Sequence, residues 1–344
     1  MRVAVAMSGG VDSSLAAALL KQAGYDVFGV HMQLWSGSNL ESTVSDLEPT
    51  CQLLDIPFYQ LDLEREFQRL VIDYFCQEYS QGRTPNPCIA CNQHIKFGLL
   101  LDRALEMGAE YLATGHYARI KASADGYFLL KAADGSKDQS YFLYTLGQRQ
   151  LERLLFPLGE LSKKKVKSLA AELGLPATGR RDSQDVCFIP DNDYRSFIDG
   201  RIPLKEGEIV DITGKVLGRH SGLARYTVGQ RHGLGLASSK QLYVLRLEAE
   251  GNRLVVGSRE QLLNNMLVAT RLSWVSGKAA SEPLNITAKV RYKAPEVAAE
   301  LRSGNGRAEL RFAKPQSAIT PGQSAVFYQG DAVLGGGIID AVLC

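Results

Sequence analysis

No apolar run in this 344-residue chain is long enough to cross a bilayer as a helix, which takes ~18 residues. An export signal is missing too. The first ten residues hold one basic residue and turn into Ser-Gly-Gly before an apolar core can form, so the mature chain is expected to begin here. Cysteine is sparse, six in all, which excludes a disulfide-stapled secreted domain and leads to the expectation of a reducing cytosol. There is no surplus of one charge either, with 39 Lys+Arg against 37 Asp+Glu, so bulk charge cannot coat a nucleic acid, although local basic patches stay open. Internal repeats and low-complexity segments are absent. What remains, 45% hydrophobic and 22% charged, is an ordinary globular composition, and the length fits two or three domains.

The first half alternates short apolar runs with helical periodicity. Strands are expected at residues 2–7, 27–32, 57–63 and 111–114. Helices are expected after the first turn (Leu15, Ala18, Leu19 and Gln22 spaced by threes and fours, closed by Gly24), at about 64–79 and at about 94–107. Repeated units of this kind imply an α/β fold with a parallel sheet covered on both faces. After about residue 195 the texture changes to short β-prone runs between Gly, Asp and Asn turns. The expected division is 1–197 as the α/β domain, 198–258 as a small central β-rich domain and 259–344 as a β-barrel-like domain.

Ser8-Gly9-Gly10-Val11-Asp12-Ser13-Ser14 lies between the first strand and the first helix. Two glycines allow a tight turn and close backbone approach, and Ser13 and Ser14 offer hydroxyls and amides at a helix N-terminus, where partial positive charge suits a phosphate. Asp12 does not itself favour a phosphate, so its presence points to a magnesium partner or a catalytic role. The usual competitors are missing. There is no G-x-x-x-x-G-K-S/T and no G-x-G-x-x-G after a strand, which sets aside P-loop kinases and dinucleotide dehydrogenases.

The second constellation is Thr84-Pro85-Asn86-Pro87-Cys88-Ile89-Ala90-Cys91-Asn92. Two prolines stiffen it, and Asn92 is expected to cap the helix that begins near His94. A thiol just before a helix N-terminus has its thiolate favoured by the dipole, and Lys96 adds positive charge one turn in. Structural zinc would need four ligands, and no second C-x-x-C or paired His follows. The third is Arg181-Asp182-Ser183-Gln184-Asp185-Val186-Cys187-Phe188-Ile189, whose cysteine alone reads as a core thiol. Cys51 and Cys76, in apolar periodic segments, read as inert core thiols, and nothing gives Cys344 a task.

The first string resembles the PP-loop of the ATP pyrophosphatase superfamily (the adenine nucleotide alpha-hydrolase-like fold), whose members activate an oxygen by transferring AMP and releasing pyrophosphate. The strings together are specific. With Ala113-Thr114-Gly115-His116-Tyr117, Lys137-Asp138-Gln139-Ser140-Tyr141-Phe142-Leu143, Thr227-Val228-Gly229-Gln230-Arg231 and Arg291-Tyr292, the chain resembles the tRNA-specific 2-thiouridylases of the MnmA/TrmU family along nearly all its length. That resemblance implies 2-thiolation of the wobble uridine of tRNA, by adenylation of the C2 oxygen and sulfur transfer from a cysteine persulfide, in the cytoplasm. It implies ATP and Mg2+, with Ala6, Met7, Ser8, Gly9, Gly10, Val11, Asp12, Ser13, Met32 and Gly115 at the nucleotide. It implies a persulfide at Cys187 and release completed by Cys91 through a transient disulfide, with Asp12 handling a proton or the metal. Asn86, Pro87 and Cys88 match positions that contact the target base, which must leave its stack. His116, Lys137, Asp138, Gln139, Arg291, Tyr292 and Gln323 match tRNA contacts. The implied partners are a wobble-uridine tRNA and a sulfur donor such as a cysteine desulfurase or a persulfide relay protein.

One departure matters. Many members carry Asp where this chain has Cys88. Cys88, Cys91 and Cys187 could hold a 4Fe-4S cluster with one iron left open for sulfide, an alternative to the persulfide. Two other readings stay open, an amide- or guanidine-forming PP-loop synthetase and a catalytically inactive PP-loop RNA-binding protein.

Two stretches are basic. Residues 163–181 hold six Lys/Arg against Glu172, and residues 289–314 hold seven against Glu296, Glu300 and Glu309. The rest of the chain carries 26 Lys/Arg against 33 Asp/Glu, so the neutral average describes an acidic body with two basic surfaces. Such surfaces suit RNA phosphates or are plain solvated faces, and Arg291-Tyr292 joins a guanidinium to a ring fit for stacking on bases.

Overall fold

The computed structural model describes residues 1–35, 40–176, 186–189, 191, 193–237 and 241–343, with residues 40–46 described in backbone only. Residues 181–185 of the third motif, residues 177–181 of the first basic stretch and Cys344 lie outside the described residues.

Strand β1 (Arg2–Ala6) has Val3, Ala4 and Val5 fully buried, the continuous apolar run of a strand covered on both faces. The chain turns into α1 (Val11–Gln22), and Gly24, at φ +83°, closes the helix. Then come β2 (Asp26–Gln33), α2 (Leu40–Leu54) and β3 (Phe58–Asp62). A long helical run follows as α3 (Glu64–Phe67), a π turn over Gln68–Ile72, and α4 (Asp73–Ser80). The next helical run begins earlier than its periodicity indicated. It starts at α5 (Pro87–Ala90), continues as a π segment over Cys91–Leu100 and ends as α6 (Leu101–Glu106). Asn86 is the N-cap, its side chain accepting from the Cys88 amide at 3.2 Å, and Pro87 takes the first helical position. Asn92, expected to cap, is inside the helix and donates instead to the Phe142 carbonyl at 3.1 Å.

Beyond β4 (Tyr111–Ala113), a hairpin forms from β5 (Ala118–Ser123) and β6 (Gly126–Lys131), turning at Asp125-Gly126. Next are α7 (Gln148–Leu151), β7 (Leu154–Leu155), α8 (Lys163–Glu172) and α9 (Tyr194–Ile198). The first sheet is parallel throughout, in the order β3-β2-β1-β4-β7. A second sheet joins β8 (Gly207–Val210), β9 (Val216–His220), β10 (Tyr243–Glu248) and β11 (Arg253–Gly257) in the order β10-β11-β8-β9.

The last segment is a closed antiparallel ring of β12 (Leu263–Trp274), β13 (Leu284–Lys289), β14 (Val297–Gly304), β15 (Arg307–Ser317), β16 (Ser324–Gln329) and β17 (Ala332–Leu343), with β17 pairing back to β12. Its inward positions, among them Leu267, Leu301, Leu310, Phe327 and Ile339, form the barrel core. The β5–β6 hairpin extends this barrel sheet rather than the parallel one, β6 meeting β17 at Leu130 and Ala332. Tyr141 and Tyr144 also reach Ser324 with their hydroxyls, so the barrel is fixed to the α/β part. No helix among the described residues is long and apolar enough to cross a membrane.

A buried charge network fixes the loop before α5 against the barrel. Glu78, 5% exposed, accepts from Arg83 and Arg271 at 2.8 Å each. Arg83 also reaches Asp340 at 3.1 Å and the Ile339 carbonyl at 3.0 Å. The Thr84 amide then donates to the Pro321 carbonyl at 2.9 Å. Arg83→Met leaves a buried carboxylate with one partner, and we expect a loss of about 3 kcal/mol in urea denaturation. A loss under about 0.5 kcal/mol would show that the network is dispensable.

Candidate active site

The chain leaves β1 at Ala6 and turns with Gly9 at φ +77°, and Gly10 then serves as the N-cap of α1. Ser13 and Ser14 behave differently from the expectation that their hydroxyls face a ligand. Both are buried, and both donate to the Gly10 carbonyl at 3.1 Å, while Ser13 Oγ also accepts the Ser8 amide at 3.2 Å. The hydroxyls fasten the loop, and a ligand is left with the first-turn amides, which have no intrahelical acceptor. Met7 and Val11 are core side chains that border the loop only through backbone. Ala6 and Met32 sit half-buried near the carboxyl ends of β1 and β2. Gly115, just past β4, comes against the start of α1 so closely that a Cβ there would lie 2.8 Å from the Asp12 carbonyl carbon and 2.9 Å from the Ser13 nitrogen. These residues share the carboxyl edge of the sheet where β1 and β4 adjoin, the place open α/β sheets keep for ligands.

Asp12, second residue of α1, is engaged on both oxygens. Lys163 Nζ lies 2.8 Å from each, and the Tyr117 hydroxyl donates to Oδ1 at 2.8 Å. Lys163 is therefore no part of a solvated basic face, since it is 9% exposed and turned inward. A signal for it was present in the sequence. Lys163, Val166 and Ala170 recur at three- and four-residue spacing, the buried stripe of α8.

The thiol end of the site lies along the helical run from Pro87. Cys51, Cys76, Cys88, Cys91 and Cys187 are all free thiols. Cys91 is buried, whereas Cys88 and Cys187 present surface to solvent from within closely packed walls. Phe188, wedged among Phe67, Phe75 and Phe197, anchors Cys187 to the core that also holds Cys91. The three thiols share one electrostatic neighbourhood, since Cys187 and Cys88 both act on Cys91 and Cys88 acts on Cys187. The dipole and Lys96 do not produce the expected thiolates. Burial raises all three, Cys91 to about 12, and Lys96 only offsets part of that rise. Among the described residues no three His, Cys, Asp or Glu side chains are placed to hold a metal ion. The Asn92 carboxamide oxygen, beside Cys91, is buried without a hydrogen-bond partner.

His116 packs between Phe97 and Phe156, with Nδ1 2.7 Å from the Thr114 hydroxyl. Burial, with Lys96 adding to it, holds its pKa well below the ordinary value, and burial lowers His94 and His220 as well. The unfolded chain takes up these protons near pH 6.5 while the folded one resists, so stability should fall as pH drops below about 6.5. Urea midpoints at pH 7 and 5.5 check this. His116→Gln should show a smaller drop than wild type, and an equal drop would remove His116 from the account.

The other residues expected at the RNA divide by burial. Asp138 is 6% exposed, with its oxygens taken by the Ala132 and Ser140 amides and the Ser140 hydroxyl, so it shapes the turn. Gln139 accepts the Tyr117 amide, and Gln323 donates to the Thr84 carbonyl at 2.9 Å, pinning the loop before α5. Tyr292 packs on Phe142, ring centroids 4.3 Å apart, while Arg291 is exposed. Lys137 sits at the rim of the turn that Asp138 shapes.

Comparison with known proteins matches three families in turn along the chain. Residues 1–191 match the family described as tRNA methyl transferase HUP domain, 195–258 the tRNA methyl transferase PRC-barrel domain, and 264–339 the Aminomethyltransferase beta-barrel domain. The chain is 50% identical to the tRNA-specific 2-thiouridylase MnmA of Geobacter metallireducens, over 99% of this chain and 97% of that one. It is 46% identical to the tRNA-specific 2-thiouridylase MnmA 1 of Clostridium botulinum, over 98% and 99%. Among solved structures, the U34-tRNA thiolase NcsA of Methanococcus maripaludis with its 4Fe-4S cluster covers 58% of this chain and 65% of its own, at a TM-score of 0.38 and 17% identity. A likeness that slight has no bearing on the chemistry.

Proposed function

The chain belongs to the tRNA-specific 2-thiouridylase (MnmA/TrmU) family, and from that premise we propose how its own residues divide the work. The protein is an ATP-dependent sulfurtransferase that 2-thiolates tRNA, and it binds ATP in its PP-loop domain. In our reading residues 1–197 carry the chemistry, while 198–258 and 259–344 grip the RNA. The target is the wobble uridine, a base taken out of its stack to reach a buried site.

A carbonyl oxygen is a poor leaving group, so the uridine O2 attacks the α-phosphorus of ATP and pyrophosphate departs with the electrons of the broken P–O bond. Magnesium, when bound, neutralises charge on the phosphates. The amides of the Ser8–Ser14 loop hold the nucleotide, with Ala6 and Met32 at the strand ends and Gly115 keeping the loop's back wall close. Asn86, Pro87 and Cys88 border the base, while His116, neutral by burial, and Lys137, Asp138 and Gln139 form the neighbouring wall. Arg291, Tyr292 and Gln323 extend the RNA surface onto the barrel.

The terminal sulfur of a Cys187 persulfide then forms the bond to C2. Cys91 attacks the inner sulfur, the persulfide S–S bond breaks toward the terminal sulfur, AMP leaves, and a Cys91–Cys187 disulfide remains for reduction by an external thiol. The donor that charges Cys187 is a cysteine desulfurase or a persulfide relay protein. We place the reaction in the cytoplasm, where thiols are kept reduced.

One observation supports this most. Residues 91 and 187, 96 positions apart, meet in one neighbourhood because Phe188 is buried beside the helix that carries Cys91. The second reading, sulfur from a 4Fe-4S cluster on Cys88, Cys91 and Cys187, rests on the same closeness. Anaerobic purification with iron and sulfide quantified separates the two, full turnover without iron excluding the cluster. Mass analysis of tRNA after reaction with a persulfide donor tests the function itself. Sulfur must appear at the wobble uridine, and its absence there would end the reading.

A further inference from the structure

Lysines 163, 164 and 165 open α8 with no acidic residue in its first turn. This runs against helix electrostatics, because the positive end of a dipole disfavours cations. Lys164 and Lys165 can turn into water, but Lys163 is buried and cannot. Its backbone amide is fixed by Asp134 Oδ2 at 3.0 Å, following Ser162, the N-cap. Its ammonium spans to the first turn of α1 and straddles both oxygens of Asp12 at 2.8 Å. Two helix N-termini, each favouring an anion, thus converge on one buried cation at the mouth of the nucleotide loop.

As a stability device this is a poor choice. Desolvating both charges costs about what their attraction returns, and an apolar pair of similar volume often does as well. The adjoining stretch shows that apolar packing is available, since Val11 and Leu15 of α1 already meet Val166 and Ala170 of α8. The arrangement makes sense if the cation has a second partner. Asp12, the more exposed of the two at 32% against 11%, is the side that an arriving metal would reach. Tyr117, already hydrogen-bonded to Asp12, would stay on that carboxylate while the ammonium turns to the phosphates.

We propose that Lys163 is a catalytic residue of the adenylation step, stored on Asp12 at rest and transferred to the α-phosphate when nucleotide binds. It neutralises charge on the non-bridging oxygens while the uridine O2 bond to phosphorus forms and the bond to pyrophosphate breaks. No proton moves in this role. The proposal rests on the adenylation reading above.

The test uses full-length protein with Lys163→Met and Lys163→Arg, a wobble-uridine tRNA and saturating Mg-ATP. Melting temperature and tRNA affinity are measured first, then the Kd for α,β-methylene-ATP, then single-turnover pyrophosphate release. Lys163→Met should fold and bind tRNA as wild type does, bind the analogue within about tenfold, and release pyrophosphate at least about 100-fold more slowly. Lys163→Arg, which keeps the charge, should recover at least about tenfold of that loss. Pyrophosphate release within about threefold of wild type in Lys163→Met would overturn the proposal. So would equal losses in both variants with matching falls in melting temperature, which mark a structural tie. Wild type that releases no pyrophosphate with tRNA would sink the adenylation reading, and this role with it.

Discussion

Cys187→Ala and Cys91→Ala should each lose tRNA 2-thiolation by at least about 10^4-fold while keeping tRNA-dependent pyrophosphate release within about tenfold of wild type. The split follows from where the groups sit. In the proposed division, pyrophosphate release is assigned to the loop after β1 and its neighbours Asp12, Tyr117 and Lys163, which hydrogen-bond one another. Sulfur transfer is assigned to a separate pair, Cys91 and Cys187, beside the Phe188 core. Removing Cys187 leaves no sulfur to deliver. Removing Cys91 leaves a sulfur that can join C2 but remains tied to Cys187, so the Cys91→Ala protein should trap tRNA covalently in a reductant-sensitive adduct. The raised thiols bear on this too. Burial pushes the Cys91 thiol up to about 12, and a protonated thiol resists stray oxidation. Thiolation by Cys91→Ala at more than about a tenth of the wild-type rate would mean that another thiol, Cys88 being nearest in sequence, cleaves the persulfide. The double variant Cys88→Ala with Cys91→Ala would then expose it.

Much of this was readable from residues. The parallel sheet announced itself because strands covered on both faces are continuous apolar runs, and 3–5 is such a run. The glycine-serine loop and the Cys88–Cys91 pair were evident from their local strings, whereas Cys187 alone reads as a core thiol and stands out only through the family resemblance. The rest depended on contacts that local patterns do not encode. The β5–β6 hairpin has the alternation of any antiparallel pair, and nothing in 118–131 says that its outer edge joins β17 two hundred residues later. Lys163 was hidden by its own neighbours, because a run of three lysines reads as a solvated face although only the first falls on the stripe with Val166 and Ala170. The cap was misplaced for a different reason. Asn86-Pro87 carries the N-cap and first-turn pattern as clearly as Asn92 suggests a cap, and only the geometry of the Cys88 amide decides between them. The thiols' acidity was misjudged because a dipole can be inferred from sequence position, whereas burial cannot.

Gly115→Ala should weaken ATP binding by about 100-fold, although residue 115 lies a hundred positions from the nucleotide loop. The added carbon would fall 2.8 Å from the Asp12 carbonyl carbon, 2.9 Å from the Ser13 nitrogen and 3.0 Å from the Asp12 Cβ. Two of these are backbone atoms, so no rotamer change relieves the contact. Either the loop after β4 or the first turn of α1 must retreat. That turn is the less free to adapt, because Ser13 and Ser14 fasten it to Gly10 and Lys163 holds Asp12. Overpacking of this kind costs about 1–3 kcal/mol, and at 1.4 kcal/mol per tenfold the upper end corresponds to about 100-fold in affinity if the strain is relieved in the nucleotide site. Gly10→Ala provides the contrast. Its Cβ would meet nothing closer than Ser8 Oγ at 3.6 Å, and Gly10 has an extended backbone that any residue adopts. Its melting temperature should match wild type, so any loss of ATP affinity there would come from a ligand pressed against the backbone rather than from strain. Titration with Mg-ATP, followed calorimetrically beside thermal melts of both variants, separates the cases. Wild-type affinity in Gly115→Ala would mean that the loop after β4 yields instead, and that Gly115 is no wall of the nucleotide site.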